Sequence, residues 1–296
     1  MLRVEYFLLV TIGLTALWFC WVWYKHAAAA AAAEDRKLRP GDAATGLVTL
    51  FFDTLGIGSF ATTITIFRLF KRVPDDRIPG TLNVGNALPC AAQAFIFIAA
   101  VPVDSFTLLG MIVAATIGSV FGVRILQRLP RRTIQIVIGV ALLIAGGLFV
   151  AKNLGFMPPG GEALGLSGPK LVLAICVSLL LGGLMMLGIG YYAPCLILLS
   201  LLGMSPLAAF PIMMGANLFP MLVGGASFIK SSQYDFRTAL GITLGGLPGV
   251  LAAAFLVKSL PVDGLRWLVA IVVFYAAWSL LFSANSRRPV AQGQSA

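Results

Sequence analysis

Nine long apolar stretches separated by short polar loops constrain this chain more than any other feature. A helix needs about 20 residues to cross a lipid bilayer, and most of the stretches reach that length. Hydrophobic residues make up 59% of the 296 residues and charged residues only 11%, whereas soluble chains carry about 25% charged residues. We therefore predict an all-α polytopic membrane protein with no sizeable domain outside the lipid.

The histidine and cysteine content excludes several classes of enzyme. The one histidine, His26, lies between Lys25 and an alanine run, and the four cysteines show no Cys-x-x-Cys spacing. Paired-histidine haem sites, histidine-rich zinc sites and Ser-His-Asp catalysis all need imidazoles that this sequence lacks. We therefore expect a protein that is not an enzyme, with no catalytic residues, no metal and no cofactor.

The chain opens with an apolar run over residues 5–24 that ends in a cluster of aromatic residues. The run is longer than the core of a signal peptide, so it is predicted to span the membrane. Residues 27–33 are all alanine and lead to basic residues up to Arg39. Because alanine favours helix, residues 1–41 are assigned to an N-terminal transmembrane helix and a basic, Ala-rich helical linker.

Beyond that linker the sequence repeats itself. Residues 86–130 align without gaps on residues 217–261, and the identical positions include the pairs Asn86 and Asn217, Pro89 and Pro220, Asp104 and Asp235, and Leu129-Pro130 and Leu260-Pro261. One residue of slippage upstream aligns Leu-Gly-Ile-Gly at 55–58 with the same letters at 187–190. We assign residues 42–152 to repeat 1, 153–169 to an inter-repeat loop, 170–283 to repeat 2 and 284–296 to a disordered cytoplasmic tail.

The first apolar stretch of each repeat, 43–70 and 170–203, is interrupted by Leu-Gly-Ile-Gly and is either a broken span or a re-entrant hairpin. If both stretches cross the membrane, the basic residues divide almost evenly between its two sides. If both are re-entrant, sixteen basic residues lie on one side and five on the other. Because basic loops face the cytoplasm, the sequence predicts seven full spans, two re-entrant hairpins, an outside N-terminus and a cytoplasmic C-terminus. Three spans per repeat is an odd number, so the repeats are predicted to be inverted.

The tips of the two hairpins are the first candidates for a binding site. Half-helices that begin at the bilayer centre present unpaired N–H groups and a positive dipole end, which suit a small anion. The candidates are Gly56, Ile57, Gly58 and Ser59 in repeat 1 and Gly188, Gly190, Tyr191 and Tyr192 in repeat 2. Alternatively, these glycines only allow helices to pack closely.

Three further polar residues lie in the apolar stretches. Asp53, just before the first tip, is either a proton-coupling residue or an acid that caps the hairpin, since a charge inside a membrane is costly. Asn86 and Asn217 each precede a proline by three residues, and a kink there would aim each amide at the site. The alternative is that these asparagines join neighbouring helices. Asp104 and Asp235 are expected to cap the helices that follow them.

Two further residue types carry a weaker signal. Gln93 lies in an apolar stretch and is a weaker candidate for the site. Cys90, like the other cysteines, is either a small packing residue or a thiol that handles a sulfur substrate.

The motifs resemble those of one family. The doubled Leu-Gly-Ile-Gly, the Val-Asp-x-x-Thr at Val103–Thr107 and the Leu-Pro junctions at 129–130 and 260–261 are similar to those of the sulfite exporter TauE/SafE family, also called toluene-sulfonate uptake permeases. The resemblance covers residues 42–283. It implies an inner-membrane carrier of sulfur-containing or organic anions, such as sulfite or sulfoacetate. The family's usual Leu-Gly-Ile-Gly-Gly-Gly is replaced here by tips ending in Ser59-Phe60 and Tyr191-Tyr192.

The sequence thus predicts a secondary transporter that alternates access to a site at the membrane midplane. The expected partners are a small anionic substrate and membrane lipids, with no nucleic acid, and a homodimer is left open. The alternatives are a membrane subunit without flux of its own and an anion channel. The sequence does not indicate which anion is carried, in which direction or with which coupling ion.

Overall fold

The computed structural model describes residues 2–32, 38–56, 58–74, 77–126, 161–186 and 191–259, with scattered residues between 132 and 154 and between 264 and 282. These parts of the chain are helical apart from short connections and an isolated bridge between Ala163 and Met204. Their helices are α1 (Leu2–Ala32), α2 (Pro40–Thr54), α3 (Phe60–Leu69), α4 (Ile78–Ala100), α5 (Ser105–Leu126), α6 (Gly168–Met186), α7 (Tyr192–Leu202), α8 (Pro206–Lys230) and α9 (Phe236–Ser259).

Five of these helices are long and apolar enough to cross a membrane: Val4–His26, Ile78–Ala100, Gly168–Met185, Pro206–Lys230 and Phe236–Leu256. Together with the composition, they make the chain a multi-pass membrane protein. The predicted spans at 132–151 and 264–283 and the predicted tail at 284–296 lie wholly or largely outside the described residues. The alanine run does not begin a separate helix, because α1 continues without a break to Ala32. Pro40 opens α2, where a proline at the first helical position loses no hydrogen bond.

The first helix break lies where Leu-Gly-Ile-Gly predicts it. In repeat 1 the chain leaves α2 after Thr54 and starts α3 at Phe60. Gly56 and Gly58 have φ angles of 94° and 82°, in the left-handed region that strains any residue with a Cβ atom. The motif therefore interrupts the helix because glycine alone turns the backbone this way at low cost. In repeat 2 the described part of α6 ends at Met186 and α7 begins at Tyr192, on either side of the second Leu-Gly-Ile-Gly.

Each broken pair of helices begins and ends at the same end of the molecule. In repeat 1, Asp42 in the first turn of α2 lies 3.7 Å from the guanidinium of Arg72, which follows α3. In repeat 2, Lys170 in the first turn of α6 donates a hydrogen bond of 3.0 Å to the carbonyl of Leu202, the last residue of α7. These contacts are only possible if the chain reverses between the two helices of each pair.

The repeats exchange their first helices. α2 packs along α9, and α6 packs in the same way along α5. Both contacts bring backbones together at glycines: Gly245 lies directly against the Ala43 carbonyl, and Gly182 against that of Ala115. Small residues at such crossings allow the close van der Waals packing that holds helices together in lipid.

The centre of the molecule is formed by α4 and α8, which run antiparallel. Phe97 stacks on Phe210 near one end of this pair, with ring centroids 5.3 Å apart, and Gly225 packs against Asn83 near the other. α1 lies outside the pair, with Phe19 against Gly225 and Trp23 edge-on to Phe236. The breaks in the two hairpins adjoin the middle of α4 and α8, where the buried polar residues described next are found.

Candidate functional site

Asp53 closes the first helix break. It lies in the last turn of α2 with only 3% of its surface exposed, and its Oδ1 accepts the backbone N–H of Ser59 at 2.6 Å. Ser59 directly precedes α3, so the carboxylate satisfies one of the N–H groups that a helix start leaves unpaired. An unpartnered carboxylate at this depth would be very costly, and this bond offsets part of that cost.

Gln93 on α4 donates to the second oxygen of the Asp53 carboxylate. Its Nε2 donates to Asp53 Oδ2 at 3.1 Å and to Thr54 Oγ1 at 2.8 Å. The Thr54 hydroxyl donates its own hydrogen to the Leu50 carbonyl at 2.7 Å. Asp53 and Thr54 therefore both act as acceptors toward Gln93, which fixes the direction of its amide.

Tyr192 carries this network into the second repeat. Its hydroxyl donates to Gln93 Oε1 at 3.1 Å and accepts from Asn217 Nδ2, also at 3.1 Å. Asn217 also lies 3.9 Å from the Cys90 sulfur. Tyr192 is the first residue of α7, so a buried chain of hydrogen bonds connects the break in repeat 2 with the break in repeat 1.

Asn86 binds the first break from α4, one turn before Cys90. It is fully buried, and its Nδ2 donates to Ser59 Oγ at 3.1 Å. Among the described residues its Oδ1 has no hydrogen-bonding partner. Since buried polar groups are nearly always paired, one end of this amide is free for a group that the described part of the chain does not supply.

The two asparagines therefore act alike, each reaching the break of its own repeat. The kink argument from the sequence finds a counterpart on α4: Pro89 has no N–H to give the Gly85 carbonyl, and Thr243 of α9 donates to that carbonyl at 2.8 Å instead. A hydroxyl from the other repeat thus replaces the lost helical bond beside Asn86.

Tyr191 does not join the network. It is 2% exposed, and its hydroxyl lies 2.7 Å from that of Ser178 on α6, which also bonds to the Met111 carbonyl. Tyr191 aligns with Ser59 in the repeat, yet its neighbour Tyr192 is the residue that meets Asn217. The structure thus brings Asp53, Ser59, Asn86, Tyr192 and Asn217 together and places Tyr191 between α6 and α5.

Of the other predicted positions, some lie in the described part of the chain and some do not. Gly56 and Gly58 form the turn between Asp53 and Ser59. Ile57, Gly188 and Gly190 lie outside the described residues. Asp104 and Asp235 cap helices as expected, because their carboxylates accept the N–H groups of Thr107 and Thr238 at 2.9 and 2.8 Å.

Sequence reasoning ranked Gln93 as a weaker candidate and treated Cys90 as a packing residue. Both lie within the network, one helical turn apart on the inner face of α4. The spacing of Asn86, Cys90 and Gln93 at intervals of four and three residues is that of one helix face, and this signal could have grouped them. Among the described residues, no three His, Cys, Asp or Glu side chains are close enough together to hold a metal ion.

Comparison with known proteins identifies one family. The model of one family, described as "Sulfite exporter TauE/SafE", matches residues 1–149 and 171–296. No curated protein and no solved structure matches the chain significantly. The family match includes the first helix and both repeats and leaves out only the segment between them. TauE/SafE proteins are membrane transporters associated with sulfur-containing anions, and this chain belongs to the sulfite exporter TauE/SafE family.

Proposed function

We propose that the protein is a secondary transporter of a small sulfur-containing or organic anion, such as sulfite or sulfoacetate, and not an enzyme. The anion binds at the membrane midplane between the two helix breaks. The observation that carries this proposal is the buried network from Asp53 to Asn217, because it joins polar groups of both repeats inside a chain of lipid-embedded helices. Polar groups at that depth are expensive and mark substrate pathways by default.

The proposal includes seven full spans and two re-entrant hairpins, α2–α3 and α6–α7. The contacts from Asp42 to Arg72 and from Lys170 to Leu202 support it, since each hairpin starts and ends on one side. α2 and α3 have 15 and 10 residues, too few to cross a bilayer singly. α6 has 19 residues, and we take it to reach further into the membrane than α2.

The proposed orientation rests on which basic residues share an end of the molecule. Two contacts hold the loop after α8 at the same end of the molecule as the starts of α4 and α2. The N–H of Asp235 donates to Thr81 at the start of α4, and the Thr238 hydroxyl lies close to Asp42 at the start of α2. This end therefore gathers described basic residues from several loops: Arg39, Lys71, Arg72, Arg77, Lys230 and Arg237. By the positive-inside rule it faces the cytoplasm of a cell inner membrane, with the N-terminus outside and the C-terminus inside.

Alternating access follows from inverted repeats, residues 42–152 and 170–283. The exchange of α2 onto α9 and of α6 onto α5 supports this arrangement, since a two-fold axis in the membrane plane would produce that pairing. Each first half-helix then moves with the last described helix of the other repeat. Rocking of these two units around the network exposes the site to either side. A homodimer is compatible with this arrangement and is not required by it.

The residues proposed to bind the anion are Gly56, Ile57, Gly58, Ser59, Asn86, Gly188, Gly190, Tyr191, Tyr192 and Asn217. Ser59, Tyr192 and the two asparagines supply hydroxyl and amide donors. The unpartnered atom of Asn86 is the acceptor Oδ1, which suits a hydroxyl group or a water molecule that accompanies the anion and not the anion itself. Tyr191 contributes through its backbone next to the second break, because its hydroxyl is engaged by Ser178.

Asp53 is proposed to couple transport to protons. Its carboxylate already occupies the start of α3, the position where the dipole favours an anion. A charged Asp53 repels an anion bound between the breaks, whereas a protonated Asp53 does not. Proton and anion are therefore expected to bind together.

Counterflow in proteoliposomes tests the function. Vesicles loaded with unlabelled sulfite, sulfoacetate or a simple carboxylate should accumulate the labelled anion transiently, and Asn217→Leu should reduce the rate at least tenfold. Ser227→Ala is the control, because Ser227 is exposed and bonds only to its own helix. The proposal would be overturned if none of these anions showed saturable flux.

A further inference from the structure

Gln93 is the only described residue that hydrogen-bonds to both helix breaks, one on each side of its amide. Toward repeat 1, its NH₂ group faces two acceptors, Asp53 Oδ2 and Thr54 Oγ1. Toward repeat 2, its oxygen accepts the Tyr192 hydroxyl. While Asp53 is ionised, the amide is therefore held in one of its two orientations, because the carboxylate can only accept and the Thr54 hydroxyl donates its hydrogen to Leu50.

This orientation gives the network a direction. Asn217 donates to Tyr192, Tyr192 donates to Gln93, and Gln93 donates to Asp53. A tyrosine hydroxyl has a single hydrogen. While Gln93 accepts that hydrogen, Tyr192 has none to offer an anion between the breaks.

A proton on Asp53 Oδ2 reverses this direction. The protonated oxygen and the Gln93 NH₂ group are both donors, so they no longer form a bond. A half-turn of the amide places its oxygen on the Asp53 hydroxyl and its NH₂ group on the Tyr192 oxygen, while the Thr54 hydroxyl turns from Leu50 to the amide oxygen. Tyr192 then accepts from Gln93, and its own hydrogen is released toward the site.

We propose that Gln93 is a positioning residue that converts protonation of Asp53 into release of the Tyr192 hydroxyl as a donor to the transported anion. The inference rests on the proposed function and explains its coupling. Proton and anion bind together because the same rotation of the Gln93 amide accepts the Asp53 proton and frees the Tyr192 hydrogen for the anion. Gln93 itself does not contact the anion.

The competing explanation is that Tyr192 and the anion respond to the charge of Asp53 directly. The titratable groups that face Asp53 are the Cys90 thiol from α4 and the Tyr192 hydroxyl from α7. The break contributes Ser59, and α9, which packs along α2, presents glycines and aliphatic side chains such as Gly246 and Ile242. A direct effect of charge would persist without Gln93, whereas the relay would not.

Infrared difference spectroscopy of the purified full chain, recorded between neutral and acid pH, tests the relay without any anion. In the wild type we expect a protonated-carboxyl band, assigned by its loss in Asp53→Asn, together with a shift of a tyrosine C–O band, assigned by its loss in Tyr192→Phe. Gln93→Leu should keep the carboxyl band and lose the tyrosine shift. Gln233→Leu, at an exposed glutamine in the loop after α8, should behave as the wild type.

A tyrosine shift that persists in Gln93→Leu overturns the proposal, and so does a wild-type spectrum in which either band is missing. If Gln93→Leu does not fold, Gln93→Met removes the amide while keeping the length of the side chain. Sulfoacetate affinity gives a second measurement: wild-type affinity should rise by up to about tenfold per unit fall in pH if one proton binds with each anion. In the Gln93 variant that slope should fall by at least half, and an unchanged slope overturns the relay. Absence of any anion binding would instead count against the proposed function, because the infrared bands do not depend on it.

Discussion

The Asp53 carboxylate accepts the backbone N–H of Ser59 at 2.6 Å and thereby closes the break between α2 and α3 from within. The two residues are separated by a turn whose glycines adopt left-handed φ angles. Asp53 thus has the capping role that sequence analysis considered beside proton coupling. The two roles are compatible, because protonation on Oδ2 leaves Oδ1 as a carbonyl oxygen that still accepts the Ser59 N–H.

Removing the cap should destabilise the protein. Asp53→Ala leaves the Ser59 N–H and the Gln93 amide without their acceptor, and loss of a cap costs about 0.5–2 kcal/mol in unfolding free energy. Asp53→Asn should cost less, because its amide oxygen can still accept the Ser59 N–H. Thermal unfolding of the purified variants in one detergent measures the difference. Equal losses in both variants would show that the cap does not contribute.

Neutralising Asp53 should also remove the pH dependence of transport. Uptake by the wild type is expected to rise as the pH falls, since protonated Asp53 no longer repels the anion. Asp53→Asn is neutral at every pH and should transport at a rate that does not follow Asp53 titration. Counterflow measured across the pH range in which the protein stays folded tests this, with Asp104→Asn, at a helix cap away from the network, as the control. Wild-type pH dependence in Asp53→Asn would contradict proton coupling through this residue.

The two adjacent tyrosines should differ in function. Tyr192→Phe removes a hydroxyl that joins Gln93 to Asn217, so we expect anion affinity to fall about tenfold, the effect of losing one hydrogen bond of about 1.4 kcal/mol. Tyr191→Phe removes a hydroxyl that bonds to Ser178 and lies near the Cys195 thiol, outside the network, and should leave affinity within about twofold. Binding of labelled anion to both variants is the measurement. Equal effects would mean that the network does not define the site.

Which tyrosine enters the network was not predictable from the sequence. Neighbouring residues of a helix point about 100° apart, so an uncertainty of one residue in where α7 begins exchanges Tyr191 for Tyr192. The position of the first break was predictable, because the glycines that cause it belong to a Leu-Gly-Ile-Gly motif that occurs in both repeats. Gln93 was underrated because its partner Tyr192 lies 99 positions away, and no local pattern brings the two together. Similarly, the spacing of Gly241, Gly245 and Gly249 predicts a packed face on α9 but does not identify α2 as its partner.

That glycine face leads to a test of the exchanged packing. A Cβ atom at Gly245 would overlap the carbonyl of Ala43, so Gly245→Ala must separate α9 from α2 and should cost about 1–3 kcal/mol. Gly224→Ala on α8 is the matched control, since its Cβ would meet no atom closer than 3.9 Å. Thermal unfolding in detergent compares the two. If Gly245→Ala is as stable as the control, α2 and α9 do not pack backbone to backbone.

The hairpin topology predicts which loops share a side of the membrane. Single cysteines can be placed at Lys71 after α3, at Gln233 after α8 and at Glu162 before α6, in a chain whose native cysteines have been replaced by serine. Lys71→Cys and Gln233→Cys should react with a membrane-impermeant maleimide from the cytoplasmic side, because the ion pair of Asp42 with Arg72 and the bond of Asp235 to Thr81 hold these loops at one end. Glu162→Cys should react from the outside, since the neighbouring Ala163 pairs with the segment that follows α7. Labelling of Lys71→Cys and Gln233→Cys from opposite sides would mean that α2 and α3 together cross the membrane, and the site would then have to be placed along a continuous span instead of between two re-entrant tips.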